Sequence, residues 1–333
     1  MSPEAFCKQT RVMIVAGKGG VGKTTVSATL ATVAARCGLS TLVVEVEGRS
    51  ELTAIFGHQE QLTYEQLVLS NGSEGAAKIR ARTLTPDEAL VEYLEDHGLR
   101  RLSKRMAATG TLDVVATAVP GIKDILVLGK VKQLERMAAA GLDDAPDFIV
   151  VDAPAAGHAV SFLASAHGLL DAFGSGPVRN QASEVVEMLK DPSRCQVLLV
   201  TLPEETPVNE VIETAFHLED RARVHLAGVV VNAVAPKLDL SASAADAAAA
   251  AGVSMDPADL DALDRAADFR RHRQDLEAAQ MDRLSAGLPL AQISLPFLYT
   301  TELGPLELDA LSDAFVAAVE DLEATVAIPG SPS

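Results

Sequence analysis

The stretch that decides the fold reads Gly17-Lys18-Gly19-Gly20-Val21-Gly22-Lys23-Thr24. It matches in full the G-x-x-x-x-G-K-[ST] pattern of phosphate-binding loops. Residues 11–15 before it, which are apolar after Arg11, predict a buried strand. Residues 26–33 after it carry apolar side chains at helical spacing, in a helix that closes at Gly38. A strand, a glycine loop and a helix in this order form the context in which the pattern binds phosphate.

The composition of the loop explains how it would bind a nucleotide. Glycines have no Cβ, so the backbone can curl around phosphates with its N–H groups inward, and the helix start adds a favourable dipole. In this pattern Lys23 reaches the β- and γ-phosphates, and the Thr24 hydroxyl binds magnesium. The alternative is a glycine-rich turn without a ligand. The predicted nucleotide-binding residues of the loop are Gly17, Lys18, Gly19, Gly20, Val21, Gly22, Lys23, Thr24 and Thr25.

The charge of the chain restricts the kind of partner. Its 333 residues include 28 basic and 46 acidic side chains, a formal net charge of -18. Such a field repels the phosphate backbone of nucleic acids and anionic lipid headgroups, so we expect no nucleic-acid partner. A bound phosphate group is not excluded, because phosphate pockets are built from local N–H groups and one or two lysines.

The cysteines and the hydropathy pattern indicate a cytoplasmic protein. Cys7, Cys37 and Cys195 are widely spaced, which argues against a disulfide framework or a zinc site. The first residues lack the sections of a signal peptide, and no apolar run approaches the ~18 residues that span a bilayer. We therefore expect no direct membrane insertion.

Short β-branched runs alternate with longer helical stretches, which predicts a doubly wound α/β fold with a mostly parallel sheet. Most of the runs are continuously apolar, as expected for strands that are buried on both faces. The predicted strands are residues 11–15, 41–46, 148–151, 197–201, 227–231 and 291–295.

Two long intervals between strands predict helical insertions. About a hundred residues separate the second and third strands, more than one crossover helix requires. Within them, Thr85-Pro86-Asp87-Glu88 reads as a capping box, and a second helix is predicted over about 123–137. A final amphipathic helix covers 306–322.

We expect a single P-loop domain over residues 1–333, with these helical insertions added to one α/β core. The second insertion is rich in alanine and acidic residues. The predicted core covers about 10–57, 146–235 and 287–325, and the predicted insertions cover about 58–145 and 236–286.

Lys18, directly after the first glycine of the loop, supports a family resemblance. The loop resembles the "deviant" phosphate loop of a SIMIBI-type family that includes the arsenite-pump ATPase ArsA, the tail-anchored-protein targeting ATPase, MinD, ParA and the nitrogenase iron protein. The resemblance implies a dimer in which Lys18 crosses the interface to the partner's phosphates, so that dimerisation and hydrolysis are coupled. Without the family, Lys18 would be interpreted as a solvated loop lysine.

A second motif is similar to the ArsA-like branch of this family. Residues 150–158 read Val-Val-Asp-Ala-Pro-Ala-Ala-Gly-His, close to Asp-x-x-Pro-x-Gly-His with the proline displaced by one position. Asp152 ends an apolar strand, where a carboxylate can hold magnesium, and the Gly157 N–H can approach the γ-phosphate. Asp152 could instead cap a helix or a turn. His158 could be a structural hydrogen-bonding residue or a catalyst, and we assign it no catalysis.

A third segment, Val44-Glu45-Val46-Glu47-Gly48-Arg49-Ser50, lies where the family carries an Asp-Pro-Ala switch. Glu47 replaces the aspartate and Gly48 the proline. We expect Glu47 to orient the attacking water, with a structural or purely switching carboxylate as the alternative. The longer side chain and the glycine loosen its placement, which favours slow turnover or a regulatory subunit as a second interpretation. The predicted catalytic residues are Lys18, Lys23, Glu47 and Asp152.

Two residues resemble the base-binding positions of the ArsA-like branch. Asn232 follows an apolar strand and offers a donor and an acceptor, which suits adenine and therefore ATP. Pro296 follows the last strand and is similar to the loop that covers the base. Asn232 could also cap a turn at the strand end.

The resemblance implies a Mg²⁺-dependent ATPase that works as a homodimer, or as a heterodimer with a related ATPase subunit, and acts on a client or a membrane transport protein. The most similar members are bacterial ArsA-like anion-transporting ATPase paralogues. The chain lacks a Cys-x-x-Cys pair, a second ATPase unit and a Met-rich segment, so arsenite transport and tail-anchored targeting are not inherited.

Two alternatives stay open. One is a weakly hydrolysing, nucleotide-binding subunit of a heterodimer. The other is a positioning ATPase of the MinD or ParA type, which is disfavoured because no Lys or Arg follows Arg283 to form a basic membrane-binding tail and the net charge opposes DNA.

Overall fold

A central sheet of eight strands organises the computed structural model, which describes residues 1–46, 52–72, 75–96 and 121–325. The strand order is β3-β4-β2-β5-β1-β6-β7-β8, and neighbours run parallel except for the antiparallel edge pair β3 and β4. The strands are β1 Val12–Gly17, β2 Thr41–Glu45, β3 Leu67–Ser70, β4 Ile79–Thr83, β5 Phe148–Ala155, β6 Cys195–Thr201, β7 Leu226–Val234 and β8 Gln292–Pro296.

Helices cover both faces of the sheet and divide the core into two apolar clusters. Alternate residues of β1 contribute to each, Val12 and Ile14 to one cluster and Met13 and Val15 to the other. The helices are α1 Pro3–Lys8, α2 Lys23–Arg36, α3 Leu52–Ile55, α4 Pro86–Asp96, α5 Ile122–Ala139, α6 Ala156–Ala172, α7 Pro177–Lys190, α8 Glu205–His217, α9 Ala244–Ala251, α10 Pro257–Gly287 and α11 Pro305–Thr325. The α/β class predicted from the sequence is confirmed.

The first interval between predicted strands needs a correction, because it is not purely helical. Strands β3 and β4 lie inside the predicted insertion 58–145, of which residues 97–120 fall outside the described ranges. The sequence pattern missed β4 because Arg80 and Arg82 interrupt it. In the fold both arginines are buried: Arg80 pairs with Asp144 at 2.9 Å, and the Arg82 guanidinium lies 4.1 Å from the centre of the Tyr64 ring.

The remaining predicted elements agree with the structure. The six predicted strands correspond to β1, β2, β5, β6, β7 and β8 with small shifts at their ends. The predicted pairing of Thr85 with Glu88 is present at the start of α4: Thr85 Oγ1 accepts from the Glu88 amide at 3.3 Å, and the Glu88 carboxylate accepts from the Thr85 hydroxyl at 2.7 Å. Helices α5 and α11 contain the predicted segments, and α9 and α10 account for the second insertion.

The amino ends of β1 and β6 are tied together by a buried carboxylate. Glu135 on α5 has a side chain only 1% exposed, and it accepts hydrogen bonds from Arg11 at 2.7 Å and Arg194 at 2.6 Å. Burial works to raise the pKa of Glu135, but the two guanidinium groups outweigh it and hold the pKa below its ordinary value. The sheet edge opposite the loop is therefore braced by a charged network.

No helix in the described ranges combines the length and apolar composition needed to cross a bilayer.

Candidate nucleotide-binding site

The predicted phosphate loop lies between β1 and α2 at the carboxyl edge of the sheet. Strand β1 ends at Gly17 and α2 begins at Lys23, with Gly22 as its N-terminal capping residue at φ 89°. Gly20 also has a left-handed backbone, at φ 85°. The strand, loop and helix order predicted from the sequence is thus present, and two of its glycines adopt a conformation that disfavours other residues.

Two glycines are required for close packing as well. A Cβ on Gly17 would lie 2.4 Å from the carbonyl oxygen of Val200, and a Cβ on Gly22 would lie 2.2 Å from Asn232 Nδ2. A Cβ on Gly19 would meet nothing within 4 Å. The loop is therefore held tightly at both ends and is open at its crest, where a phosphate can approach the backbone.

The sheet brings Thr24 and Asp152 together although they are 128 residues apart in the chain. Asp152 lies in β5 beside Val15 of β1 and Glu45 of β2, and its residue is 7% exposed. Thr24 Oγ1 donates a 2.7 Å hydrogen bond to Asp152 Oδ2. The other carboxylate oxygen, Oδ1, is buried and has no hydrogen-bond partner among the described residues.

The electrostatics of Asp152 are unusual for a carboxylate. Burial raises its pKa to about 6, the hydrogen bond from Thr24 and the charge of Lys23 oppose the rise, and the charge of Glu45 adds to it. The buried oxygen Oδ1 still lacks a hydrogen-bond partner among the described residues, which is unfavourable for an ionised carboxylate. A bound divalent cation would supply one and favour the ionised form.

The donors at this point fit magnesium. Mg²⁺ prefers oxygen ligands and binds nucleotide sites through one or two protein ligands, with water and phosphate oxygens completing its shell. Thr24 and Asp152 offer one hydroxyl and one carboxylate, as predicted. Within the described ranges no group of three His, Cys, Asp or Glu side chains forms a closed metal cage. The arrangement suits a metal that arrives with a phosphate ligand.

The two loop lysines have different surroundings. Lys23 Nζ donates to the Lys18 carbonyl at 3.3 Å, so its ammonium group curls back over the loop. Lys18 Nζ lies 2.6 Å from Glu210 Oε1 on α8, and the two side chains are 42% and 38% exposed. In this single chain Lys18 is therefore neither freely solvated nor directed at phosphates. Its predicted role across a dimer stays a prediction.

The predicted base-binding residues line one cavity beside the loop. Asn232, Pro296 and Thr25 border a cavity of about 240 Å³, together with Phe297. Asn232 Nδ2 also donates to the Val21 carbonyl at 2.9 Å, so the asparagine anchors the loop as well as facing the cavity.

A backbone irregularity positions Asn232. The register between β7 and β8 shifts between Val231 and Val234, and Ala233 has φ 56°, a left-handed conformation that is uncommon for a residue with a Cβ. Strain of this kind persists where the surrounding structure holds it, often at binding sites. Here it accompanies the side chain that contacts the loop.

Sequence reasoning missed two carboxylates near the site. Glu45 ends β2 next to Asp152, is 5% exposed, and accepts from Thr83 Oγ1 at 3.0 Å. The signal that identified Asp152, a carboxylate closing an apolar strand, applies to Glu45 too. Glu210 gave no such signal, because it lies 192 residues from Lys18 on an ordinary helix.

Three other predicted residues remain less defined by the structure. Glu47 and Gly48 of the switch segment lie outside the described residues. Gly157 lies in the first turn of α6, directly after β5, and is exposed. The amide groups in the first turn of a helix have no partner within the helix, which leaves the Gly157 N–H available to a ligand.

Comparison with known proteins gives consistent matches. The model of the anion-transporting ATPase family matches residues 10–174, which include the loop and Asp152. The ATPase BagA of Mycobacterium tuberculosis is 33% identical over 225 residues, covering 67% of this chain and 64% of the relative.

More distant relatives have related names. An arsenical pump-driving ATPase of Escherichia coli is 28% identical over 230 residues, covering 66% of this chain and 34% of the pump protein. The ATPase get3 of Schizosaccharomyces japonicus is 28% identical over 193 residues, 54% of each chain. The chain thus spans about two thirds or less of the length of these relatives. With the phosphate loop, the Thr24–Asp152 contact and the eight-stranded sheet, the matches establish that the chain belongs to the ArsA-like family of anion-transporting ATPases.

Proposed function

We propose that the chain is a Mg²⁺-dependent ATPase whose dimer opens and closes with the nucleotide and thereby drives a conformational change in a partner, client or transport system. The observation that carries the proposal is the 2.7 Å contact between Thr24 Oγ1 and Asp152 Oδ2. It pairs a hydroxyl at the start of the loop helix with a buried carboxylate, the donor pair that a magnesium triphosphate complex uses.

The proposal assigns a role to the loop backbone and to the side chains of Lys23 and Thr24. The backbone from Gly17 to Thr25 binds the phosphates, and the Lys23 ammonium neutralises charge on the β- and γ-phosphates. Thr24 and Asp152 hold magnesium, which stabilises the charge that develops on the transferred phosphoryl group. The assignment of Glu47 as the residue that orients water rests on the sequence alone.

The base cavity supports ATP as the nucleotide. Asn232 faces the cavity beside Pro296 and Phe297, and its amide can pair with the amino group and ring nitrogen of adenine. The Asn232 contact with Val21 links the base cavity to the phosphate loop, so occupancy of one would stabilise the other.

The dimer and the client are proposed from the family. By the family resemblance we propose that Lys18 acts in a partner's site, in a homodimer or in a heterodimer with a related ATPase subunit. One relative is named for driving an arsenical pump. By analogy we propose an unidentified client or membrane transport protein for this chain.

Phosphate release by the purified chain tests the proposal directly. We expect Mg²⁺-dependent hydrolysis of ATP, and we expect Lys23→Ala to lower it on the order of 100-fold because the β- and γ-phosphates lose their main cationic contact. Lys190→Ala is the matched control, since Lys190 is exposed at the end of α7. Hydrolysis that survives Lys23→Ala at the wild-type rate would contradict the site assignment.

A further inference from the structure

The signature lysine of the loop is held within its own chain. Lys18 Nζ contacts Glu210 Oε1 at 2.6 Å, and Glu210 lies on α8, which follows β6. The other oxygen of this carboxylate, Oε2, is buried and has no hydrogen-bond partner in the described part of the chain. Lys18 is therefore the sole hydrogen-bonding side chain that the described residues offer to Glu210.

The contact with Glu210 competes with the dimer role of Lys18. The ammonium group lies 2.6 Å from a carboxylate of its own chain, and Glu210 attracts the same positive charge that a phosphate of another subunit would attract. Both side chains are about two-fifths exposed, so the pair in cis is weak enough to open. A triphosphate carries several negative charges against one on Glu210, so a partner subunit loaded with ATP can compete for the lysine.

The unpartnered oxygen favours the return of Lys18. When Lys18 leaves, Glu210 keeps a carboxylate with one buried oxygen and no cation beside it, which is an unfavourable state. Once the partner's terminal phosphate is gone, the competing charge is smaller and the pair in cis re-forms.

We propose that Glu210 is a positioning residue that retains Lys18 in the open state and so sets the ATP level at which the dimer closes. The inference rests on the proposed function, because it assumes that Lys18 acts across a dimer. Beyond that function, the carboxylate of Glu210 on α8 determines when Lys18 is released.

Nucleotide-dependent dimerisation measures how strongly Glu210 retains Lys18. Sedimentation of the full chain is followed against the concentration of a non-hydrolysable Mg²⁺–ATP analogue, for wild type and Glu210→Gln. Glutamine keeps the shape but removes the charge, so we expect half-maximal dimerisation at about five-fold less analogue. Glu213→Gln is the matched control, because Glu213 lies one turn along the same helix, is 74% exposed, and lies beside His217 rather than Lys18.

A second comparison shows whether the effect passes through Lys18. In the Lys18→Ala background, Glu210→Gln should leave the concentration dependence unchanged, because no lysine remains to be released. The affinity of the monomer for the analogue should be the same with and without Glu210→Gln. Glu210→Ser serves as the second variant if the glutamine variant does not fold.

The outcomes distinguish failure of the positioning role of Glu210 from failure of the proposed dimer. A wild-type chain that dimerises, while Glu210→Gln dimerises at the same analogue concentration, overturns the positioning role alone. An effect of Glu210→Gln that persists without Lys18 overturns it as well. A wild-type chain that stays monomeric at saturating analogue contradicts the proposed homodimer, and the inference with it.

Discussion

Asp152 carries a structural cost at the position where we propose that it binds magnesium. Its carboxylate is buried beside Glu45 at the end of two parallel strands, where burial raises its pKa to about 6. Between about pH 4 and 6 the folded chain therefore holds a proton at Asp152 that the unfolded chain has released. The contribution of Asp152 to the free energy of unfolding is therefore highest at the low end of this pH range and falls as the pH rises through it.

The raised pKa of Asp152 predicts how Asp152→Asn changes the stability of the protein without ligand. At pH 7 the variant should be more stable than wild type by about 2 kcal/mol, because asparagine removes a buried charge but still accepts from Thr24. Mg²⁺-ATP should then stabilise wild type and leave the variant nearly unchanged, since the metal ligand is lost. Urea denaturation at pH 7, with and without Mg²⁺-ATP, measures both effects.

Asp143→Asn is the control for this prediction, because Asp143 is an exposed aspartate in the loop before β5. A ligand-free Asp152→Asn protein that is less stable than wild type, together with an undiminished gain from Mg²⁺-ATP, would show that Asp152 is neither strained by its burial nor a metal ligand.

At the scale of elements, the loop depends on how closely β1 approaches β6. Gly17 pairs with Val200 in the parallel register, and a Cβ at Gly17 would lie 2.4 Å from the Val200 carbonyl oxygen. That oxygen belongs to the backbone of a central strand and cannot turn aside. The glycine at the first position of the motif therefore serves the packing of the strands, in addition to the phosphate binding that we propose for it.

Replacement of this glycine tests the packing. Gly17→Ala should destabilise the fold by about 2 kcal/mol and weaken ATP binding, because β1 has to move away from β6. Gly19→Ala should change the free energy of unfolding little, since a Cβ there meets nothing within 4 Å. Thermal and urea unfolding of both variants measure the difference, and equal losses would refute the close-packing argument.

The sequence predicted those elements whose signals are local. The loop, the six apolar strands and the pairing of Thr85 with Glu88 each depend on neighbouring residues, and each is found in the structure. Strand β4 was missed because Arg80 and Arg82 interrupt its apolar pattern, and both are buried through partners elsewhere in the chain, Asp144 and Tyr64.

The same distinction between local signals and tertiary contacts holds for the candidate site. Asp152 was predicted because a carboxylate that ends an apolar strand is visible in the sequence. The contact of Lys18 with Glu210 was not, because it joins residues 192 apart whose proximity is a property of the tertiary fold. The hydrogen bond from Asn232 to Val21 is another contact that only the fold creates.

At the scale of the whole molecule, the two edges of the sheet differ. The carboxyl edge carries the features that cost stability: the buried Asp152, the left-handed Ala233 and the glycine loop. The amino edge is braced by Glu135 between Arg11 and Arg194. A stable frame thus supports a strained edge, the arrangement expected where a ligand completes the structure.

The central claim is that the loop from Gly17 to Thr25 holds a triphosphate whose metal is bound by Thr24 and Asp152. A crystal structure of the chain grown with excess Mg²⁺ and a non-hydrolysable ATP analogue tests it most directly. We expect the phosphates to lie inside the loop and magnesium to contact the Thr24 hydroxyl and the Asp152 carboxylate. The base should lie in the cavity beside Asn232. A loop left empty, or a nucleotide bound elsewhere on the molecule, would contradict this claim.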